Sequence, residues 1–268
     1  MARLQIVCAA GACVLAAVLF ALHSLPYHAH AQGGVPVCAG PPALAKFIHP
    51  LSRLSQTAVR GGPVTIVAIG SSSTAGVGAS SAAAAYPNRL QAMLRARAGR
   101  IPVNVLNRGV SGEEIRDMMA RFDSNVIAAK PDLVLWQIGT NSVLHDKDVS
   151  GNASVLAEGL NRLKATGADV VLINPQYAPK VLAKPAVATM VRLIAATAKE
   201  ANIELFDRFA VMKYWREAAN VPFAAFLSPD QLHMNDWGYN CVARLLANDI
   251  IEAATRPPVT AGTPVARQ

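Results

Sequence analysis

The sequence has little charge and few aromatic side chains. Of its 268 residues, 16% are charged and 6% are aromatic, whereas 52% are hydrophobic. This balance, with only 18 glycines and 17 prolines, excludes a mainly disordered, collagenous or coiled-coil chain. No second hydrophobic run approaches membrane-spanning length after the first thirty residues. What remains is one globular domain with a sizeable core.

Acidic residues are scarce relative to basic ones. The chain has 25 Lys and Arg against 17 Asp and Glu, a formal net charge of +8, which suits an anionic partner such as a nucleic acid or a polysaccharide. Arg95, Arg97 and Arg100 lie on or just beyond one predicted helix, with no aromatic residues between them. This pattern is typical of a solvated helix face, so nucleic-acid binding is disfavoured.

The N-terminal segment has the pattern of a signal peptide. Arg3 precedes an apolar run from Ile6 to Leu22, and the small-residue pattern Ala29-His30-Ala31 follows. Cleavage after this pattern would remove residues 1–31 and leave Gln32 as the mature N-terminus. The sequence therefore predicts an exported protein, periplasmic or secreted. An uncleaved membrane anchor is the alternative, because the apolar run is nearly long enough to span a bilayer.

Cysteine is rare, and the predicted cleavage makes it rarer. Of the four cysteines, only Cys38 and Cys241 lie beyond residue 31. The predicted mature chain keeps 24 basic and 17 acidic residues, a net charge of +7. An oxidising compartment would allow the two cysteines to form a disulfide that pins the N-terminal arm to the last helix. Two unpaired, buried cysteines are the alternative.

Composition divides the rest of the chain into an arm, a domain and a tail. Residues 32–60 form the predicted N-terminal arm, 61–254 the domain, and 255–268 a Pro-rich disordered tail. Within the arm, Leu44 to Val59 could form a short covering helix, although Pro50 should interrupt or kink it.

Apolar runs of strand length alternate with helix-like segments through the domain. The predicted strands are Val64 to Ile69, Val103 to Leu106, Leu133 to Ile138, Val170 to Ile173 and Ile203 to Phe206. The predicted helices are Tyr86 to Ala98, Glu113 to Ala129, Ala153 to Ala165, Ala186 to Ala201 and Trp237 to Ala254. This alternation predicts an α/β fold with three layers, in which helices cover both faces of a five-stranded, mostly parallel sheet.

Polar, glycine-containing turns follow the first three predicted strands. They are Gly70-Ser71-Ser72-Ser73-Thr74-Ala75-Gly76, Asn107-Arg108-Gly109-Val110-Ser111-Gly112 and Gly139-Thr140-Asn141. Ligands of open α/β sheets bind at the carboxyl ends of the strands, so these turns are candidate site residues. Neither a P-loop nor a G-x-G-x-x-G spacing is present, which disfavours a nucleotide site.

Histidines that could act as a general base are few. Three of the six precede residue 32, which leaves His49, His145 and His233. His49 precedes a proline in the arm, and His145 adjoins a charged stretch that is typical of a solvated loop. His233 stands three residues after Asp230 in a loop before the last helix, so it is the best candidate.

The three turns and the Asp230–His233 pair make four blocks. In this order along the chain, they resemble the SGNH hydrolases, also called the GDSL esterase/lipase family. The resemblance covers residues 64 to about 250 and implies a flavodoxin-like SGNH hydrolase fold. It implies that Ser72 is the nucleophile, and that Asp230 and His233 are the orienting acid and the general base. It also implies an oxyanion hole formed by Ser72, Gly109 and Asn141. The chemistry of this family requires no metal and no organic cofactor.

Two positions depart from the family pattern. Ser71 replaces the Asp of the GDS turn, and Ser142 stands where Asp often follows the Asn. Because three serines follow one another, Ser71 and Ser73 remain alternative nucleophiles. The replacement also leaves open a non-catalytic carbohydrate-binding module on the same fold.

The resemblance implies a carboxylic ester hydrolase that acts through an acyl-serine intermediate. Export and a basic chain fit an O-acetylated polysaccharide as the substrate, and the resembled family includes acetylesterases of this kind, so short-acyl esters such as O-acetyl esters of carbohydrate are expected. A lipolytic esterase, a lysophospholipase or a thioesterase is the alternative, and Leu144, Val181, Leu182 and residues 223–227 could line a groove for a longer acyl chain. The structural alternative to such a groove is that these are ordinary core or loop residues. The sequence indicates no oligomeric state.

Overall fold

The structure, a computed structural model, describes residues 37–40, 46–145 and 149–256. The strands are β1 (Val64–Gly70), β2 (Val103–Gly109), β3 (Leu133–Gln137), β4 (Asp169–Ile173) and β5 (Glu204–Phe206). The α-helices of these ranges are α1 (Ser52–Val59), α2 (Ser72–Ala75), α3 (Tyr86–Arg97), α4 (Ile115–Ala120), α5 (Phe122–Asn125), α6 (Thr140–Leu144), α7 (Asn152–Lys164), α8 (Pro179–Leu182), α9 (Val187–Glu200), α10 (Arg208–Glu217), α11 (Phe223–Phe226) and α12 (Asp236–Thr255). Short 3₁₀ helices span Ala82–Ala84 and Ile127–Ala129.

The five strands form one sheet in which every pair is parallel, in the order β2-β1-β3-β4-β5. The predicted five-stranded parallel sheet is therefore confirmed, and its order is that of flavodoxin-like folds. In this order the chain reverses its direction of travel between β1 and β3, the switch point beside which ligands bind. Gly70 pairs with Gly109 at the carboxyl edge, which brings the polar turns after β1 and β2 side by side.

The core lies on both faces of the two central strands. All five residues of β3 are buried, because helices cover the sheet on both sides. Trp136 packs edge-on against Phe122, with ring centroids 5.0 Å apart. A β-carbon at Gly159 of α7 would lie 2.4 Å from the Trp136 ring, so glycine lets this helix approach the sheet closely.

One predicted helix is broken. The segment predicted as a single helix from Glu113 to Ala129 consists of α4, α5 and a 3₁₀ turn. The interruption falls at Arg121, whose φ of −111° and ψ of 14° leave the helical region. The Arg121 side chain is held by hydrogen bonds to Glu113 and to the carbonyl of Arg108, which fix it to the carboxyl end of β2. Helix α10, in contrast, was not predicted.

The N-terminal arm is anchored to the far end of the sheet and to α12. Helix α1 begins at Ser52, two residues after Pro50, so the predicted interruption falls where the helix starts. The carboxylate of Glu204 accepts hydrogen bonds from the backbone N–H groups of Ile48 and His49, at 2.9 and 2.6 Å. The predicted signal peptide and the tail beyond residue 256 lie outside the described residues. Among the described helices, none is long and apolar enough to cross a membrane.

Cys38 and Cys241 are joined by a disulfide in the structure, with their Cα atoms 5.4 Å apart. Cys241 is fully buried on α12. The bond ties the beginning of the arm to the last helix across 203 positions of sequence.

Candidate active site

The turn after β1 is built around two glycines. A β-carbon at Gly70 would lie 2.2 Å from Thr74 Oγ1, and one at Gly109 would lie 2.1 Å from the backbone nitrogen of Ala75. Only glycine therefore allows the ends of β1 and β2 to pack against the short helix α2. Ser72 is the first residue of that helix, where backbone N–H groups have no partner within the helix.

The three consecutive serines occupy different environments. Ser71 and Ser73 are each 1% exposed. Ser71 Oγ donates to Gln137 Oε1 at 3.1 Å, so it faces the sheet, and Ser73 Oγ is buried without a hydrogen-bond partner among the described residues. Ser72 Oγ lies 2.8 Å from His233 Nε2. Of the three candidates, Ser72 is thus the serine that meets the histidine.

The loop between α11 and α12 holds Asp230 and His233 in one hydrogen-bonded unit. Asp230 Oδ2 lies 2.5 Å from His233 Nδ1, and Asp230 Oδ1 accepts the backbone N–H groups of Leu232 and His233, both at 2.9 Å. Ser228 Oγ donates to the same oxygen at 2.7 Å. The bond to the carboxylate places the proton on Nδ1, which leaves Nε2 free to accept the Ser72 hydroxyl proton.

The carboxyl group of Asp230 is held in its ionised form. Partial burial raises its pKa, but hydrogen bonds from the side chains of His233 and Ser228 and from two backbone N–H groups outweigh this effect. The net result is a pKa well below the usual range for aspartate. Asp230 is therefore a carboxylate at neutral pH.

Asn141 lies at the start of α6, next to the carboxyl end of β3. Its side chain is nearly buried, and Asn141 Nδ2 donates one hydrogen to the carbonyl of Glu113 at 2.8 Å. The second hydrogen of that amide remains available to a ligand. Gly139, which precedes the helix with a φ of 91°, packs against Met190 and Ile194, so a side chain there would clash.

Gly109 is placed beside α2, but its N–H group is engaged in the structure. It donates to Asn107 Oδ1 at 3.0 Å. A ligand oxygen at this position would have to share that hydrogen or displace the Asn107 side chain. The sequence did not indicate this contact. Ser142, the second departure from the family pattern, donates to Glu114 Oε2 at 3.2 Å.

One further residue beside the site, Gln176, was not identified from the sequence. Gln176 Oε1 accepts Thr140 Oγ1 at 2.9 Å and Arg208 Nη2 at 2.8 Å, while Gln176 Nε2 donates to the carbonyl of Leu232 at 3.3 Å. Gln176 therefore links the segment beside Asn141 to the residue before His233. The available signal was its position after β4, by the same rule that identified the other turns.

The other two histidines of the described ranges are paired elsewhere. His49 Nδ1 contacts Glu204 at 2.6 Å in the arm, and His145 Nδ1 contacts Glu114 at 2.8 Å. Within the described part of the chain, no cluster of three or more His, Cys, Asp or Glu side chains could hold a metal ion.

A cavity of about 640 Å³ opens beside the loop between α11 and α12. Its wall includes Gly78, Pro179, Phe223, Leu227 and Gln231. Of the predicted groove residues, Phe223, Ala224 and Leu227 line it, whereas Val181 and Phe226 are fully buried in the core.

A family model and several known proteins match the chain. The model of the Non-GDSL lipase-like family matches residues 37–256. An acetylxylan esterase from Geobacillus stearothermophilus is 27% identical over 171 residues, which covers 59% of this chain and 77% of that protein.

Solved structures show the same fold. A mutant of Axe2, an acetyl-xylooligosaccharide esterase from Geobacillus stearothermophilus, superposes with a TM-score of 0.59 at 24% identity, over 70% of this chain and 94% of that one. Two other structures of that enzyme are of catalytic mutants in which a serine or a histidine is replaced by alanine. A two-domain esterase active on acetylated mannans superposes with a TM-score of 0.69 at 18% identity, over 82% of this chain and 58% of that one.

Proposed function

The chain belongs to the Non-GDSL lipase-like family, and on this premise we propose that it is a serine esterase that hydrolyses O-acetyl esters of carbohydrate. The observation that carries the proposal is the hydrogen-bonded line from Asp230 through His233 to Ser72, with contacts of 2.5 and 2.8 Å. The order of Ser72, Gly109, Asn141 and His233 along the chain further supports its assignment to the SGNH hydrolases. Ser71 stands where the SGNH hydrolases have the Asp of the GDS turn, which is consistent with the name Non-GDSL of the matching family.

In the proposed reaction, Ser72 Oγ attacks the ester carbonyl carbon while His233 Nε2 takes its proton. A serine hydroxyl is a poor nucleophile without such a base. Asp230 keeps the other imidazole nitrogen protonated and stabilises the imidazolium that forms. The tetrahedral intermediate collapses as His233 returns the proton to the leaving alcohol, which leaves an acetyl group on Ser72.

The developing negative charge on the carbonyl oxygen is stabilised by hydrogen-bond donors from three segments. They are the backbone N–H groups of Ser72 and Gly109 and the side-chain amide of Asn141. The Asn107 side chain shares or releases the Gly109 N–H when the oxygen arrives. Losing one such donor typically costs about 3 to 4 kcal/mol of transition-state stabilisation.

Water completes the cycle. His233 takes a proton from a water molecule that attacks the acetyl-serine, and it then returns that proton to Ser72 Oγ as acetate leaves. Every proton is moved by groups of the chain itself, so the proposed reaction requires neither a metal nor an organic cofactor.

The substrate proposal is supported by the activities named for similar proteins, which are esterases of acetylated xylan and acetylated mannan. It is also supported by the burial of Val181 and Phe226, which removes two residues from any groove for a long acyl chain. Phe223 and Leu227 do line the cavity beside the loop, and they favour the second candidate, a lipolytic esterase or thioesterase.

We propose that the protein is exported from the cytoplasm. The charged, apolar and small-residue pattern of residues 1–31 supports it. The bond between Cys38 and Cys241 is also typical of an oxidising compartment. Cell fractionation with N-terminal sequencing tests the proposal: a mature chain that starts at Gln32 outside the cytoplasm supports it, and an intact cytoplasmic chain contradicts it.

The test of function is ester hydrolysis by the chain from residue 32 to residue 268. We expect release of acetate from acetylated xylan or mannan oligosaccharides, and faster cleavage of p-nitrophenyl acetate than of the butyrate or the octanoate. Ser72→Ala provides the blank. Fastest cleavage of the octanoate would favour the lipolytic candidate, and equal activity of Ser72→Ala and the wild type would contradict the serine mechanism.

A further inference from the structure

Arg121 is a largely buried cation next to the site that the mechanism above does not use. Its Nε donates to both carboxylate oxygens of Glu113 at 2.8 Å, and its Nη2 donates to Glu113 Oε2 at 2.5 Å. Each of the two side chains is 15% exposed. A fork of this kind fixes both groups in distance and in orientation.

The same guanidinium also binds the main chain at the ends of two strands. Arg121 Nη2 lies 2.8 Å from the carbonyl oxygen of Arg108 and 3.5 Å from that of Gly70. Arg108 immediately precedes Gly109, and Gly70 lies two residues before Ser72. Two of the three proposed oxyanion donors are therefore within two residues of a contact with Arg121.

The third donor is reached through Glu113. The carbonyl oxygen of Glu113 accepts the hydrogen bond from Asn141 Nδ2 at 2.8 Å, while the Glu113 side chain is held by Arg121. The amide of Asn141 is thus oriented by a residue whose own position depends on the fork. One side chain connects all three segments that supply donors.

A contribution to folding stability explains the burial of the Arg121–Glu113 pair poorly. Arg121 Nη1 is buried and has no hydrogen-bond partner among the described residues. An unpaired buried donor and a desolvated ion pair both reduce what such a pair contributes to folding. A requirement for fixed geometry at the neighbouring site accounts for the arrangement better.

We propose that Arg121 is the positioning residue of the oxyanion hole. It holds the Ser72 N–H, the Gly109 N–H and the Asn141 amide in one fixed arrangement, and it touches neither the substrate nor the reacting atoms. The inference rests on the proposed esterase function. Oxyanion donors act only when they are organised before the charge develops, so a small displacement of all three lowers the rate of the chemical step.

Arg121→Lys is the primary test, because lysine keeps the positive charge but cannot bind two carbonyls and a carboxylate as a fork. With p-nitrophenyl acetate we expect kcat to fall about tenfold while KM changes less than about twofold, the pattern for a loss confined to the transition state. Glu113→Gln keeps the side-chain length but removes the negative charge that Arg121 binds, so it should lower kcat in the same way.

Arg162→Lys is the matched control. Arg162 also donates to a main-chain carbonyl, that of Met119 at 2.9 Å, and pairs with a carboxylate, that of Asp123 at 3.0 Å. Among the described residues, its hydrogen bonds reach none of the three donor segments. Its replacement should leave kcat unchanged.

A double-mutant cycle with Asn141→Ala separates positioning from a general structural effect. Asn141→Ala alone should lower kcat by about 10²- to 10³-fold. Because Arg121 acts in part through Asn141, adding Arg121→Lys to that variant should cost less than it costs in the wild type. A loss that only reflects stability would be the same in both backgrounds and would follow the melting temperature.

The outcomes are distinct. An unchanged kcat in Arg121→Lys, or an undiminished loss in the Asn141→Ala background, overturns the inference while the esterase function stands. If Arg121→Lys does not fold, an unchanged kcat in Glu113→Gln overturns it equally. If the wild-type protein cleaves no ester, or if Ser72→Ala cleaves esters as fast as the wild type, the proposed function is overturned instead.

Discussion

His233 Nε2 lies 2.8 Å from Ser72 Oγ, although 161 positions of sequence separate the two residues. Ser72 lies just after the carboxyl end of strand β1. His233 is held by a loop that is closed by hydrogen bonds to Asp230. The contact between them depends on how closely that loop approaches the segment after α2.

Gly78 determines that approach, and we predict that Gly78→Ala lowers kcat at least tenfold. Its φ is +90°, and a β-carbon would lie 2.5 Å from the carbonyl of Met234 and 3.0 Å from His233 Cβ. The loop must therefore move away from Ser72, and a displacement of about 1 Å can cost about 10²-fold in rate. Steady-state kinetics with p-nitrophenyl acetate measures the loss.

Gly99→Ala is the control for backbone strain. Gly99 also has a positive φ, of +63°, but open space surrounds its Cα. This variant should lose about 1 to 2 kcal/mol of stability and keep its kcat. Equal kcat losses in the two variants would show that the contact with the loop is not the cause.

Asp230→Asn should lower kcat by about 10²- to 10⁴-fold at neutral pH, and it should also lower fold stability there, because the folded protein favours the ionised carboxyl group. An amide can donate a hydrogen to His233 Nδ1, which favours the tautomer protonated at Nε2 and prevents that nitrogen from accepting the Ser72 proton. The kcat of the purified variant, with circular dichroism as the check on folding, measures the effect. Near wild-type turnover would remove Asp230 from the mechanism.

Asp249 makes stability fall as pH rises, the direction opposite to that of a carboxyl group whose pKa is lowered on folding, such as Asp230. Burial, together with the nearby Glu252 and Glu204, raises the pKa of Asp249 to about 8. The folded-state pKa lies above the unfolded value, so the folded protein loses stability from this group as pH rises from about 4 to about 8. Its Oδ2 has no hydrogen-bond partner among the described residues.

Asp249→Asn should therefore stabilise the protein at pH 8, by about 1 kcal/mol or 2 to 4 °C in Tm, and should matter less at pH 5. Thermal unfolding at both pH values measures the change. Asp123→Asn is the control, since the Asp123 side chain is 82% exposed and should shift Tm little at either pH. A lower Tm for Asp249→Asn at pH 8 would contradict the expectation.

The bond between Cys38 and Cys241 should contribute about 2 to 5 kcal/mol to stability, because it closes a long loop of the unfolded chain. Cys38→Ser should accordingly lower the denaturation midpoint in urea. Alkylation under denaturing conditions should label no cysteine of the chain from residue 32 without reductant, and two with it. Labelling of both without reductant would show that they are unpaired.

The sheet could be predicted from the sequence because parallel strands buried on both faces appear as continuous apolar runs. Helix breaks could not be predicted in the same way. The break at Arg121 depends on where its side chain binds, and α10 was missed because a mixed pattern hides its buried Val211, Met212 and Trp215.

The order of blocks along the sequence identified Ser72, Asn141, Asp230 and His233, but not the groups that orient them. The contacts of Gln176 with Leu232 and of Arg121 with Gly70 join residues distant in sequence through side-chain rotamers. Such contacts have no periodic signal. The hydrogen bond from the Gly109 N–H to Asn107 Oδ1 joins residues close in sequence, yet it too depends on one side-chain rotamer.

The most direct test of the central claim is covalent labelling with a serine-directed fluorophosphonate, followed by peptide mapping. We expect one label, on Ser72, in the wild type and in Ser73→Ala, and none in Ser72→Ala. Ser73→Ala is the matched control because it removes a neighbouring hydroxyl that is buried away from His233. A label on Ser71 or Ser73, or a labelled Ser72→Ala protein, would contradict the assignment of Ser72 as the nucleophile.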